Sequence, residues 1–346
     1  MGSLTPYVGM MYSFGSYWIV PSKLATVTAY LEKAQQLGVK IAHIQVHVMP
    51  GEWYVPDNSW TPAGAGEPMT VAYLHDLISL MHSYDMKVLM YMNTWCDSAL
   101  ANSLYSDCMT AIPAWGGNVF MDLDPDKSYG ATVLEQTRNA MDAWGFDGFE
   151  IDGFAPNGSP LESTTPKFLD FLNLARIDAN SRNKVIMGNP IRSSAVQSYL
   201  DFASNALDAP YTNAGPYDLN DCSNRINGHV PWYQMVRDYC KFTNAQLQYF
   251  AWEPHNTAED SYSTTPLSRE EWQTFLQWCL KGRVLPAPRW DDFMLDNMWL
   301  NKDLFDYYIP QITAVIETMV NPALPFDDDF ADLNRWRKTS GTWAVR

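Results

Sequence analysis

Two acids stand two residues apart in the segment Gly145-Phe146-Asp147-Gly148-Phe149-Glu150-Ile151-Asp152-Gly153-Phe154. The run reads as a β-strand, whose side chains alternate between two faces. Phe149 and Ile151 then share one face; Gly148, Glu150 and Asp152 share the other. The apolar pair suits packing against helices. The carboxylates would then face an interior, which is costly unless they are paired, hydrogen-bonded or used. Two close acids also drive their pKa values apart, as acid–base chemistry requires. A salt-bridged or hydrogen-bonded structural acid is the competing reading.

A second acid lies in Tyr249-Phe250-Ala251-Trp252-Glu253-Pro254-His255-Asn256. Glu253 follows an apolar run that reads as another strand. Trp252 beside it offers a flat apolar platform, and His255 offers a hydroxyl partner. A loop-capping glutamate is the competing reading. Asp208, in Leu207-Asp208-Ala209-Pro210-Tyr211, is a third candidate. Asp291 and Asp292 beside Trp290 read more readily as a solvated acidic loop.

Carboxylates facing each other across an aromatic cleft are what glycoside hydrolysis needs. One acid protonates the leaving oxygen; the other attacks the anomeric carbon or activates water. The chain carries 14 Trp, 19 Tyr and 15 Phe, many in loops, where flat rings can stack on sugar faces. Tyr12, His47, Asn93, Trp95, Trp252, His255 and Trp290 are the expected sugar-binding residues.

Other chemistries fare less well. His43 and His47 share a strand face, but strand positions four apart lie about 13 Å from each other, too far to share one ion. A metal-dependent barrel hydrolase is therefore a weaker alternative, and no metal or cofactor is expected in the reaction. A structural Ca²⁺ near Asp122 and Asp124 is an unspecific option. Lys87 and Lys184 open their strands, away from the acids, which disfavours Schiff-base chemistry. The five cysteines form no CxxC pair, so a thiolate zinc site is not expected. Cys96 and Cys108 are expected as buried free thiols, with a disulfide between them as the alternative.

These residues need a scaffold. The chain has 346 residues, and 47% are hydrophobic, enough for a large core. Apolar runs alternate with longer helical patterns. Strands are expected at 7–12, 40–48, 87–92, 146–152, 185–187, 207–211, 247–252 and 283–285. Helices are expected at 22–37, 71–84, 127–144, 166–179 and 304–319, with another opened by the capping box Ser268 to Glu271. Regular alternation implies parallel strands with right-handed crossovers. About eight such units imply an α/β fold of the (β/α)₈ TIM-barrel class, with its site at the strand C-terminal ends. An open doubly wound sheet lacks support, because no GxGxxG follows the first strand and no P-loop occurs.

The barrel is expected over 1–322. Residues 323–346 read as a linker and the opening of a truncated β-sandwich module, because Asp-Phe, Trp and Gly-x-Trp recur there. The 39 carboxylates against 23 bases give a charge of −16, which argues against nucleic acid as a partner. No apolar run is long enough to span a bilayer. The expected partner is a polysaccharide or oligosaccharide, and the chain is read as a monomer. Met1-Gly2-Ser3 resembles an expression scar, so an extracellular or periplasmic protein that has already lost its signal peptide is expected.

The stretch 80–155 resembles glycoside hydrolase family 66, the dextranases and cycloisomaltooligosaccharide glucanotransferases. Lys87-Val88-Leu89-Met90-Tyr91-Met92-Asn93, Met121-Asp122-Leu123-Asp124-Pro125 and the Gly-Phe-Asp-Gly strand ending at Asp152 follow in that family's order. The resemblance implies an α-glycan-cleaving barrel with Asp152 as nucleophile. It also implies a glutamate acid/base two strands later, where this sequence has Asp208. Gly-Phe-Asp-Gly also resembles the endo-α-galactosaminidase barrels.

The expectation is an endo-acting glycoside hydrolase with retention favoured. Asp152 is the nucleophile, Glu253 the acid/base with Asp208 second, and Glu150 a tuning or hydroxyl-binding partner. The reverse assignment, with Glu253 attacking and Glu150 as acid, resembles the large retaining barrel clan. A barrel that binds glycan without cleaving it is the non-enzyme alternative.

Overall fold

The computed structural model of the chain describes residues 10–14, 19–36, 39–44, 59–61, 66–113, 117–152, 166–189, 199–205, 248–252, 285–287, 336–339 and 342–345. The order begins β1 (Met10–Phe14), α1 (Leu24–Gln36), β2 (Val39–Ile44), β3 (Ser59–Trp60), β4 (Met69–Thr70), α2 (Val71–Ser83) and β5 (Lys87–Asn93). It continues with β6 (Trp95–Asp97), α3 (Ser98–Leu104), β7 (Met109–Pro113), β8 (Asn118–Met121), α4 (Ser128–Asp142), β9 (Gly148–Asp152), α5 (Pro166–Ser181) and β10 (Val185–Asn189). Last come β11 (Phe202–Asn205), β12 (Gln248–Trp252), β13 (Leu285–Ala287), β14 (Trp336–Thr339) and β15 (Thr342–Val345).

Eight strands form one sheet in the order β1-β2-β5-β9-β10-β11-β12-β13, and each hydrogen-bonded pair is parallel. The last strand, β13, returns to the first, with Cα atoms of β1 and β13 within 8 Å. This is the strand order expected from the alternation in the sequence. The helices follow their local signals. Thr70 caps α2 by accepting the Tyr73 amide at 3.1 Å. Asp97 caps α3 through the Ala99 and Leu100 amides at 2.9 and 3.0 Å. Pro166 opens α5, where its missing N–H costs nothing.

Left-handed residues turn three helices into the next strands. They are Asp85 before β5, Gly145 before β9 and Asn183 before β10, with φ of 60°, 86° and 55°. Asp, Gly and Asn are the types that tolerate that conformation. The core has two layers. Val88, Met90 and Met92 on β5, Phe149 and Ile151 on β9, and Ile186 on β10 are all buried. The helices contribute Leu74, Leu77, Ile78 and Met81 from α2, Val133 and Leu134 from α4, and Phe171 and Leu172 from α5.

Two buried aspartates tie the N-terminal end of the sheet together, and they identify its helix side. Asp147, just before β9, accepts the Val88 amide at 3.0 Å, Lys87 Nζ at 3.0 Å, and pairs with His82 Nε2 of α2 at 2.7 Å. Burial works to raise its pKa; the Val88 amide, Lys87 and His82 outweigh that and hold the carboxyl below its usual range. Asp201, just before β11, repeats the device. It accepts both terminal nitrogens of Arg176 from α5 at 2.8 Å and the Ile186 amide at 2.9 Å. Both acids reach helix residues, so their strand parity faces the helices. Phe149 and Ile151 have the parity of Asp147 and share that face. Gly148, Glu150 and Asp152 belong to the opposite, inner face.

The sixth strand of the sheet is Phe202–Asn205, and the strand expected at 207–211 lies outside the described residues. Asp201 anchors the chain to β10 and α5, so pairing starts immediately after it. Residues 206–247 lie outside the described residues, as do 304–319 and the helix expected after Ser268. Three short strands were not foreseen: β6, β8 and β7 make an antiparallel sheet in that order between β5 and α4. A two-residue hairpin, β3–β4, precedes α2. In the tail, β14 and β15 pair antiparallel across Ser340 and Gly341. Among the described residues no helix is long and apolar enough to cross a membrane.

Candidate active site

The register of the sheet assembles the candidate site. Asp152 closes β9; Asn93 closes β5 and pairs with it on one side, and Asn189 closes β10 and pairs with it on the other. Paired residues on neighbouring parallel strands share a face and lie about 4.8 Å apart. The row beneath is Tyr91–Glu150–Met187, and the row below that is Leu89–Gly148–Val185. The inner face thus grows more polar toward the strand C-terminal ends.

Glu150 is fully buried. It lies one row below Asp152 on the same face, as the alternation in the sequence requires. Gly148 has a geometric reason: a Cβ there would stand 1.9 Å from the Val185 carbonyl oxygen. Only glycine lets β9 and β10 approach this closely, and their approach sets Asp152 level with Asn189.

Trp252 ends β12, three strands from β9. The register runs from Met187 to Phe202 and from Phe202 to Gln248, so Gln248, Phe250 and Trp252 share the inner-face parity. The backbone therefore brings Asn93, Glu150, Asp152 and Trp252 to one face, three of them at strand C-terminal ends. His43 also has this parity, through its pairing with Leu89.

Tyr12 stands apart from this group. It pairs with Ala42, which pairs with Val88, and that is the helix-side set. The expected strand 7–12 put Tyr12 at a strand end, whereas β1 runs on to Phe14 and carries a register shift between Met10 and Met11. Trp95 is buried at 9% exposure, edge-on to Phe120 with ring centroids 5.9 Å apart. Its indole packs the three-stranded insert and leaves little ring for stacking. His47, Asp208, Glu253, His255 and Trp290 lie outside the described residues. Trp252, which precedes Glu253 in the sequence, ends β12.

The insert begins directly after β5, which ends at Asn93. Met121 N donates to the Thr94 carbonyl at 2.8 Å, and Asp122 N to the Cys108 carbonyl at 2.7 Å. Tyr129 Oη reaches the Trp95 carbonyl at 3.4 Å. Cys96 and Cys108 are buried free thiols. Burial pushes the Cys108 pKa up. Asp122 and Asp124 are occupied in turning the chain: each accepts a backbone amide two residues on, at 3.0 Å. Lys127 pairs with Asp122 at 2.7 Å, and Lys167 lies 3.7 Å from Asp124. Lysine thus sits where a structural Ca²⁺ was an option. Among the described residues no group of three or more His, Cys, Asp or Glu side chains converges as metal ligands.

Asn189 escaped the sequence reading, which ends this strand at 187; the strand runs to Asn189. Pro190 was the available signal: a residue before proline is held extended, so the strand continues through 189.

No protein-family model matches the chain, and no curated protein does. Solved structures do. The debranching enzyme of Nostoc punctiforme, soaked with acarbose, superposes with a TM-score of 0.59 at 13% identity, over 92% of this chain and 82% of that one. An α-amylase from Lactobacillus plantarum gives 0.57 at 14% identity, over 91% and 81%. The likeness is to amylase-type (β/α)₈ barrels. A cycloisomaltooligosaccharide glucanotransferase from Paenibacillus sp., complexed with cycloisomaltoheptaose, gives 0.50 at 11% identity, over 72% of this chain and 39% of that one. The match to that enzyme is weaker than to the other two. These likenesses show the (β/α)₈ barrel fold and do not single out family 66.

Proposed function

We propose that this chain is a glycoside hydrolase that cleaves internal bonds of an α-linked glycan. One observation carries the reading: Asp152 ends the fourth strand of an eight-stranded parallel sheet, on the inner face, above the buried Glu150 and level with two asparagines. In barrels of this kind the C-terminal rim of the strands is where catalytic groups gather. The names of the similar structures, α-amylase and debranching enzyme, point to α-linked substrates.

In this mechanism Glu253 gives its proton to the glycosidic oxygen as the bond to the anomeric carbon breaks. The Asp152 carboxylate attacks that carbon and forms a glycosyl ester. Glu253, now ionised, takes a proton from water, and the resulting hydroxide displaces Asp152 with net retention. Trp252 supplies a stacking surface, and Asn93 binds sugar hydroxyls. Glu150, buried one row below on the same strand, is the tuning or hydroxyl-binding partner.

The test is a panel of α- and β-linked polysaccharides scored for new reducing ends, run with the parent and with Asp152→Asn. Release from an α-glycan by the parent, lost by some three orders of magnitude in a folded Asp152→Asn, is the expected result. A parent that binds an α-glycan and never cleaves it would make this a binding barrel.

A further inference from the structure

β5, β9 and β10 are neighbours at the centre of the sheet. Along 88–92, 148–151 and 185–188 every residue is buried except Tyr91, which is half-buried. Its register partner Glu150 is fully buried, as are Met187 in the same row and Leu89 in the row below. On the helix side of β5, Val88, Met90 and Met92 are sealed completely. Solvent therefore reaches Tyr91 from the inner face, one row below the row of Asp152. Rows on one face lie about 6.6 Å apart along a parallel strand. The opening thus descends below the rim on the β5 side, while β9 and β10 stay closed at that depth.

The sequence points to Trp95 as the sugar-stacking aromatic in this part of the chain, but that indole is packed edge-on against Phe120. Tyr91, four residues earlier, is the aromatic that β5 leaves open. A tyrosine suits the place, because its ring packs against buried side chains while its hydroxyl stays wet. Leucine or methionine, as at Leu89 and Met187, would fill the interior without presenting a ring. We propose that Tyr91 is a substrate-contact residue that forms the floor of the sugar site. Its ring covers the apolar CH face of one pyranose, and its hydroxyl bonds a hydroxyl at that sugar's edge. This deepens the glycoside hydrolase reading and rests on it.

The experiment labels the whole chain with 3-fluorotyrosine and follows it by fluorine-19 NMR. One of the 19 tyrosine signals is assigned to Tyr91 by its loss in Tyr91→Phe. A soluble gadolinium chelate should broaden that signal in the free chain. Maltoheptaose, isomaltoheptaose and cellohexaose are then titrated in, with binding measured in parallel by calorimetry. The oligosaccharide that binds should shift the Tyr91 signal and protect it from the chelate. Tyr91→Phe should weaken that binding about two- to tenfold, and Tyr91→Ala by about tenfold or more. A bound oligosaccharide that leaves the Tyr91 signal unmoved, with affinity in Tyr91→Phe within twofold of the parent, would overturn the proposal and leave the hydrolase reading to the Asp152 variants. An oligosaccharide that shifts the signal and is never cleaved would support the sugar contact and remove the hydrolase reading. Failure of all three probes to bind at millimolar concentration would overturn both.

Discussion

Replacing Gly148 with alanine should both destabilise the protein and disturb its site. The added Cβ would meet the Val185 carbonyl oxygen at 1.9 Å, its carbon at 2.8 Å and the Val185 nitrogen at 3.0 Å. All three are backbone atoms, so no side chain can rotate away. To reach an ordinary contact the two strands must part by more than about 1 Å. The hydrogen bond from Val185 N to the Asp147 carbonyl, 3.0 Å long, would then stretch beyond bonding range. Overpacking in a close-packed interior costs about 1–3 kcal/mol. A buried backbone pair left unsatisfied adds about 1–3 kcal/mol. The expected loss is about 3–5 kcal/mol, or a fall in Tm of roughly 4–7 °C for a chain of this size. Differential scanning calorimetry measures it, with near-ultraviolet circular dichroism as a check on tertiary packing. Any folded Gly148→Ala should also lose turnover, because the same contact keeps Asp152 level with Asn189. A Tm within about 2 °C of the parent would refute the close approach of β9 and β10, and with it the register on which the site is built.

Asp147→Ala should cost about 2–3 kcal/mol, mostly from the buried Val88 amide, since Lys87 and His82 are each about two-fifths exposed and solvent-screened; urea melts would show it. The Asp147 carboxyl is held low in the folded chain, so its contribution is complete above the unfolded value of about 3.9 and disappears as pH falls through the lower folded value. Tm measured from pH 5 to pH 2 should therefore fall less steeply in Asp147→Asn than in the parent, and parallel slopes would contradict this. Cys108 is buried with its pKa raised, so iodoacetamide at pH 8 should leave it unmodified until the chain unfolds; rapid native-state labelling found by mass spectrometry would argue otherwise.

Much of this architecture is legible in the residues. The repeating switch between apolar runs and helical spacing locates seven of the eight sheet strands to within a few residues, and the Glu150–Asp152 alternation assigns their face. Two kinds of information were not local. The insert β6–β8–β7 is built from strands of three to five residues, whose pairing depends on partners up to some twenty-five positions away rather than on a periodic pattern. Strand parity between neighbours is also non-local: whether Tyr12 joins Asp152 or Phe149 depends on the β1–β2 and β2–β5 registers. The sixth strand, Phe202–Asn205, was missed because a side-chain anchor, Asp201, starts it, and propensity cannot reveal an anchor whose partners sit on α5 and β10.

The most direct test of the central claim is azide rescue of Asp152→Ala on the α-glycan that the parent cleaves best. With the nucleophile removed, kcat should fall by about three orders of magnitude or more, and added azide should restore part of it by attacking the vacated face of the anomeric carbon to give a glycosyl azide. Hydrolysis by Asp152→Ala at the parent rate, with no azide adduct formed, would contradict the account.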